Sequence, residues 1–190
     1  GRTANYFIPG DNPFVDPLAN PSARTLEAFW ALGLREPHRM TYDPFTRSTW
    51  VGDVGQEARE EINLVEKGGN YQWAYREGTV TGPKARPAQI IGQEKTPVYE
   101  YPHGSSGNSL APNKAIIGGY VYRGEEHAGL LGGQYIFGDN GSGRIWALTT
   151  IGAGSPTLTY LCNMPAGIGY NGLASFGVDQ NGEIYMVQMG

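Results

Sequence analysis

Short runs of apolar residues, broken by Gly, Pro, Asn and Asp, recur along this chain and read as β-strands. Residues 38–43, 49–54 and 61–65 predict three strands of one antiparallel meander, separated by Pro44-Phe45-Thr46 and by a loop at 55–59. Residues 79–113 read mostly as loop, with a short strand at 99–101. A second cluster is predicted at 116–122, 134–139, 144–148 and 157–162, with turns at 124–133, 140–143 and 152–156. Two more strands, 173–178 and 183–187, flank Asp179-Gln180-Asn181-Gly182. The stretch to about Ser22 is irregular, and the pattern at 25–34 fits a helical turn or a strand.

Four antiparallel strands per unit, at intervals of about forty to fifty residues, predict an all-β chain of β-propeller blades. No WD or kelch dipeptide marks the repeat, but Asp43, Asp139 and Asp179 each stand at a turn beside an aromatic strand. About two and a half blades are visible in this pattern. So few cannot close, and an open sheet edge exposes backbone hydrogen-bonding groups. The remaining blades are therefore expected from a longer protein or from a second chain. The opening Gly1-Arg2-Thr3-Ala4, with no Met and no basic-then-apolar signal segment, reads as the interior of such a longer protein.

Composition fits this picture. The chain has 190 residues with 29 Gly and 13 Pro, 12% aromatic and only 17% charged, a mix that favours strands and tight turns over helices. Its net charge of -4 argues against nucleic acid, which needs a basic surplus, and against anionic membranes. No apolar run approaches the roughly 20 residues of a membrane span. Cys162 is the only cysteine, which excludes an internal disulfide; it is expected to be buried in a strand and inert.

Several residues could carry chemistry. Gly55-Gln56, Glu60-Glu61 and Tyr71 form the best candidate metal set, because Ca²⁺ takes six to eight oxygens and a glycine turn can offer carbonyls beside a carboxylate. The spacing is not that of an EF-hand. The bland alternative makes Asp53 a turn cap, Glu60 a solvated charge and Gly68-Gly69-Asn70 a hairpin turn. Arg35, ahead of Glu36-Pro37, suits either an anion site or a structural ion pair. His38, His103 and His127 are too scattered for a metal site; His103, in a Gly/Ser loop, is a candidate pocket residue and His127 a surface one. GxGxxG after a strand, the P-loop, HExxH and GxSxG are all absent.

Taken in order, these motifs resemble one family. They are Trp30 to Pro37 (WALGLREP), Gly52 to Gln56 (GDVGQ), Glu61-Ile62-Asn63, Gly68 to Trp73 (GGNYQW), Glu77-Gly78 and Gly118 to Gly124 (GGYVYRG). Tyr135 to Asp139, Gly143 to Leu148 and Gly177 to Tyr185 continue the pattern towards the C-terminus. The chain resembles the soluble quinoprotein sugar dehydrogenases, the glucose/sorbosone dehydrogenase family, and specifically the C-terminal half of that propeller. The resemblance implies a six-bladed propeller that binds pyrroloquinoline quinone and Ca²⁺ and oxidises the anomeric hydroxyl of aldoses to lactones. It implies that Arg35 touches the quinone and that the carbonyls of Gly55 and Gln56 hold the cofactor-bound Ca²⁺. Glu61 and Tyr71 fall on ligands of a second, structural Ca²⁺. The histidine base of such enzymes lies in the N-terminal half, so this chain alone is expected to be inactive. An extracytoplasmic location, periplasmic or secreted, is likewise implied.

The departures support another expectation. Glu36 stands where the family usually has Asn, and Gln72 replaces a usual Gly. In glucose-oxidising members a lysine and two arginines clamp the cofactor carboxylates; as aligned, Gly141, Gly172 and Ala174 occupy those places. Arg123, Arg144 and Lys114 are the cations that could compensate. The alternative function is a non-catalytic Ca²⁺-binding propeller that engages a protein or glycan, as in the hedgehog-interacting relatives of the family.

Overall fold

The computed structural model describes residues 6–21, 27–103, 115–149, 155–165 and 172–189. A single 3-10 turn at Pro13–Val15 precedes the strands β1 (Pro37–Asp43), β2 (Ser48–Asp53), β3 (Arg59–Leu64), β4 (Gly69–Asn70), β5 (Arg76–Glu77), β6 (Val80–Thr81), β7 (Gln93–Glu94) and β8 (Tyr99–Pro102). They continue as β9 (Ile116–Val121), β10 (Tyr135–Asp139), β11 (Arg144–Thr149), β12 (Thr157–Asn163), β13 (Leu173–Val178) and β14 (Ile184–Gln188). The turn expected at 124–133 holds a one-turn helix, α1 (Ala128–Leu131).

Two four-stranded antiparallel sheets form, ordered β1-β2-β3-β8 and β12-β11-β10-β9, followed by the hairpin β13-β14. These are successive propeller blades. The fourth strand of the first blade, β8, joins β3 only after the excursion through β4 to β7, with Glu60 opposite Tyr101. The Gly68-Gly69-Asn70 run is not a hairpin: Gly68 does take a positive φ of 72°, but β4 then pairs in parallel with β7. Residues 27–34 form turns with one isolated bridge, Leu32 to Asn70, and residues 22–26 lie outside the described ones.

The strands β10 and β11 of the second blade are covered on both faces, which explains why they read as continuous apolar runs rather than alternating ones, while the outer strand β12 is largely exposed. Tyr135, Phe137, Trp146 and Leu148 pack toward the first blade with Trp50, Ile62 and Tyr101. Ile136, Ile145 and Ala147 point the other way, to Leu173 and Phe176 of the hairpin. Trp50 stacks on Tyr135 with centroids 4.6 Å apart. The innermost strands approach closely: a Cβ on Gly118 would lie 2.5 Å from the Arg39 carbonyl and 2.9 Å from the Gly52 nitrogen, so only glycine fits there.

The three echoing aspartates share one job. Asp43 accepts from the Phe45 and Thr46 N–H groups, Asp139 from Ser142 and Asp179 from Asn181 and Glu183, each carboxylate closing its hairpin turn. Cys162 lies in β12, half-buried, with its thiol pushed up by burial, away from the reactive thiolate form.

Candidate functional site

The site grows from the turn between β2 and β3. One oxygen of Glu77, Oε1, accepts four successive backbone N–H groups, from Gln56 (2.7 Å), Glu57 (3.0 Å), Ala58 (2.8 Å) and Arg59 (3.1 Å). Burial pushes the Glu77 carboxyl up, but these bonds outweigh it and hold the group below the usual carboxylate range. Successive amides folded round an anion make a nest. In a trans peptide the C=O opposes the N–H of the same unit, so the carbonyls of Gly55 and Gln56 face away from Glu77. Among the described residues no backbone hydrogen bond ends on either carbonyl. Gly55 is required here, because a Cβ would sit 1.8 Å from the Arg59 carbonyl oxygen.

Asp53, at the end of β2, fastens Arg35 beside this turn. Its carboxylate accepts the Arg35 N–H at 2.9 Å and the Glu36 N–H at 2.7 Å, and burial pushes it up to about 6 against the pull of those bonds. It therefore caps a turn, as the sequence suggests. The Arg35 guanidinium donates to the Val54 carbonyl at 3.0 Å, pairs with Glu36 at 3.1 Å and lies over the Trp73 ring at 5.5 Å. Glu36 and Val54 line a cavity of about 360 Å³ with His38, Asn140, Ala174 and Met189, where β1, β9 and β13 converge. Among the described residues no Lys or Arg lines it.

Glu61 and Tyr71 stand further down the sheet. Glu61 faces Asp53 across β2 and β3, accepting from Asn63 Nδ2 at 3.1 Å and from the Gly78 N–H at 2.5 Å, and burial pushes it up to about 7. The Tyr71 phenol donates to the Leu64 carbonyl and accepts the Glu66 N–H at 2.9 Å. Its hydroxyl is therefore committed to backbone, and its own carbonyl is the group it can offer a cation. No three His, Cys, Asp or Glu side chains converge as a metal cluster among the described residues.

Other expectations change. Glu60 is no solvated charge: it is fully buried between the blades, accepts the Ile116 N–H at 2.9 Å, and burial pushes it up to about 7. His103, at the end of β8, places Nδ1 2.9 Å from Glu60 Oε1, so the sequence-marked histidine meets an inter-blade carboxylate. Arg123 is not free to serve a cofactor. It grips the buried Asp43 carboxylate with both Nε (3.1 Å) and Nη2 (2.6 Å) and stacks on Phe45 at 4.5 Å. Arg144 keeps a buried Nη1 without a hydrogen-bond partner, while Lys114 lies outside the described residues. Gly141 sits exposed in the β10–β11 turn, and a Cβ on Gly172 would lie 2.6 Å from Asn140 Nδ2. His127 is exposed, as expected for a surface residue.

Sequence reasoning missed Glu77 as an organiser of the site. Its only sequence signal is a carboxylate before Gly78, about twenty residues beyond the turn it holds.

The glucose/sorbosone dehydrogenase family pattern matches residues 4–150. The chain belongs to this family. Among curated relatives, the HIPL1 protein of Arabidopsis thaliana is 32% identical over 210 aligned residues, covering 98% of this chain and 29% of the relative. Among solved structures, the apo soluble aldose sugar dehydrogenase of Escherichia coli superposes with a TM-score of 0.68 at 20% identity, covering 95% of this chain and 48% of that one. The pyrroloquinoline quinone-bound aldose sugar dehydrogenase of Streptomyces coelicolor gives 0.56 at 15% identity, covering 85% and 39%. The glucose/sorbosone dehydrogenase chain thus spans less than half the length of these relatives.

Proposed function

We propose that the protein carrying this chain is a quinoprotein sugar dehydrogenase that oxidises the anomeric hydroxyl of aldoses to lactones with pyrroloquinoline quinone and Ca²⁺. The observation that carries this reading is the pair of carbonyls at Gly55 and Gln56 turned away from Glu77, next in the chain to Val54, which lines the cavity and whose carbonyl accepts from the Arg35 guanidinium. Neutral carbonyl oxygens in a tight turn are hard donors suited to Ca²⁺, and a guanidinium suits an anionic cofactor oxygen. When bound, the quinone supplies a two-electron hydride acceptor, which no side chain can replace. This chain's residues bind and orient: Gly55 and Gln56 hold the cation, Arg35 the quinone, and Glu61 with the Tyr71 carbonyl a structural Ca²⁺. His103 is the further candidate at the cofactor pocket.

The base that takes the sugar hydroxyl proton is assigned to the N-terminal half of the propeller, so the isolated chain is expected to show no turnover. The same reading makes residues 1–190 the C-terminal part of one six-bladed propeller, closed by its remaining blades and working outside the cytoplasm. No helix among the described residues is long and apolar enough to cross a membrane.

One observation favours a second reading. The cavity holds Glu36 and, among the described residues, no lining cation, and Arg123 is spent on Asp43. This suits a Ca²⁺-stapled propeller that binds a protein or glycan without catalysis. Calorimetric titration of Ca²⁺, then of pyrroloquinoline quinone, into the full-length protein decides between them. Binding of both, with Arg35→Ala abolishing only the quinone step, supports the dehydrogenase; Ca²⁺ binding without the quinone overturns it.

A further inference from the structure

We infer that Glu77 is a positioning residue for the cation site, the group that turns the Gly55 and Gln56 carbonyls outward. The inference rests on the dehydrogenase reading and names the residue on which its cation site depends. Residues 55–58 belong to no strand, and of their carbonyls only that of Ala58 accepts a backbone N–H among the described residues, from His103 at 2.9 Å. A short loop of this kind otherwise samples several orientations. One carboxylate oxygen collecting the N–H groups of residues 56 to 59 fixes them together. Each N–H drawn toward Glu77 turns the preceding carbonyl away from it, which presents two oxygens on one side of the turn.

Glu77 is itself held in place. It pairs with Val80 across β5 and β6, and the neighbouring Gly78 N–H donates to Glu61 at 2.5 Å. Thr79 donates through its N–H (2.7 Å) and hydroxyl (2.6 Å) to Glu100, which also contacts Arg59 Nε at 3.5 Å. The Glu77-Gly78-Thr79 turn thus braces the loop from the side opposite the Gly55 and Gln56 carbonyls.

The test compares full-length wild type with Glu77→Gln by calorimetry, titrating pyrroloquinoline quinone at fixed Ca²⁺. The variant keeps the size of the side chain and removes the charge that gathers the four N–H groups. The expected result is at least a tenfold loss of quinone affinity at low Ca²⁺, recovered as Ca²⁺ is raised, with the thermal transition still cooperative. Recovery by mass action marks a misplaced cation site, which a collapsed loop would not show. Quinone affinity within twofold of wild type at every Ca²⁺ concentration overturns the role of Glu77 alone. A wild type that binds no quinone overturns the dehydrogenase reading and this inference with it. If Glu77→Gln does not fold, Glu77→Asp keeps the charge but retracts the oxygen by one methylene. The same Ca²⁺-dependent loss is then expected, and unchanged affinity overturns the proposal.

Discussion

At the scale of single residues, the buried carboxylates behave alike for one reason. Asp53, Glu60 and Glu61 lie in or beside the first blade, and desolvation disfavours their charged forms, pushing them to about 6, 7 and 7. A raised folded-state value means that the fold binds the proton more tightly than the unfolded chain does. The stability so gained is fully present below the ordinary carboxylate range and is lost as pH rises through about 7. The full-length protein without Ca²⁺ is therefore expected to melt at a higher temperature at pH 5 than at pH 8. Glu60→Gln, which carries no charge to desolvate, should flatten that profile and raise the melting temperature at pH 8. A scan of melting temperature against pH checks both, and an unchanged slope in the variant would sink the assignment. None of this is visible in the sequence, where Glu60 reads as a solvated charge and Glu61 as a candidate metal ligand.

At the scale of elements, the apolar faces hold the blades together and a few polar pins set their register. Thr41 Oγ1 donates to the Gly119 carbonyl at 2.6 Å, Tyr101 to Asp139 at 3.1 Å, and Arg123 forks onto Asp43. Arg123→Ala would leave a buried Asp43 carboxylate with only its turn contacts, costing about 2–3 kcal/mol at neutral pH, the range for a charge-assisted hydrogen bond. Burial pushes the Asp43 carboxyl up, but the Arg123 and turn hydrogen bonds outweigh it and hold the group below its usual value. Denaturant unfolding should therefore show that loss at pH 7, with the difference from wild type shrinking only as the pH falls below the ordinary carboxylate range. The strands themselves were largely legible. Strands β10 and β11 of the second blade declare themselves by nearly unbroken apolar runs, because neighbours cover both faces. The fourth strand of the first blade was legible only as an isolated fragment at 99–101. Its partner β3 lies more than thirty residues earlier, and local periodicity carries no information on such pairing. The site was legible in its letters and not in its geometry. Gly55, Gln56 and Arg35 stand out, but the direction of two carbonyls depends on Glu77, which no local pattern connects to them.

At the scale of the whole molecule, charge decides whether the inner cavity can seat a tricarboxylate. The chain is net negative at -4 and contributes Glu36 to the cavity wall, with no balancing lysine or arginine among the described residues. Arg35 Nη1 is shared between Glu36 and the Val54 carbonyl, so part of its charge is already answered within the protein. Losing the three clamp cations, at the places held by Gly141, Gly172 and Ala174, would cost a tricarboxylate several kcal/mol, at roughly 1.5–3 kcal/mol per charged hydrogen bond. On the proposed dehydrogenase reading, Ca²⁺ held by the Gly55 and Gln56 carbonyls would be the principal positive charge near the seat, and quinone binding is then expected to depend on it. Glu36→Asn removes the repulsion and frees Arg35 while leaving the backbone bond to Asp53 intact. In the full-length protein it should tighten quinone binding by about ten- to a hundredfold, equivalent to about 1.4–2.8 kcal/mol, and relax the dependence on Ca²⁺. Titration of the quinone at several Ca²⁺ concentrations reads both effects. If Glu36→Asn binds no more tightly than wild type, Glu36 does not face the cofactor, and the missing cations must be supplied by blades outside this chain.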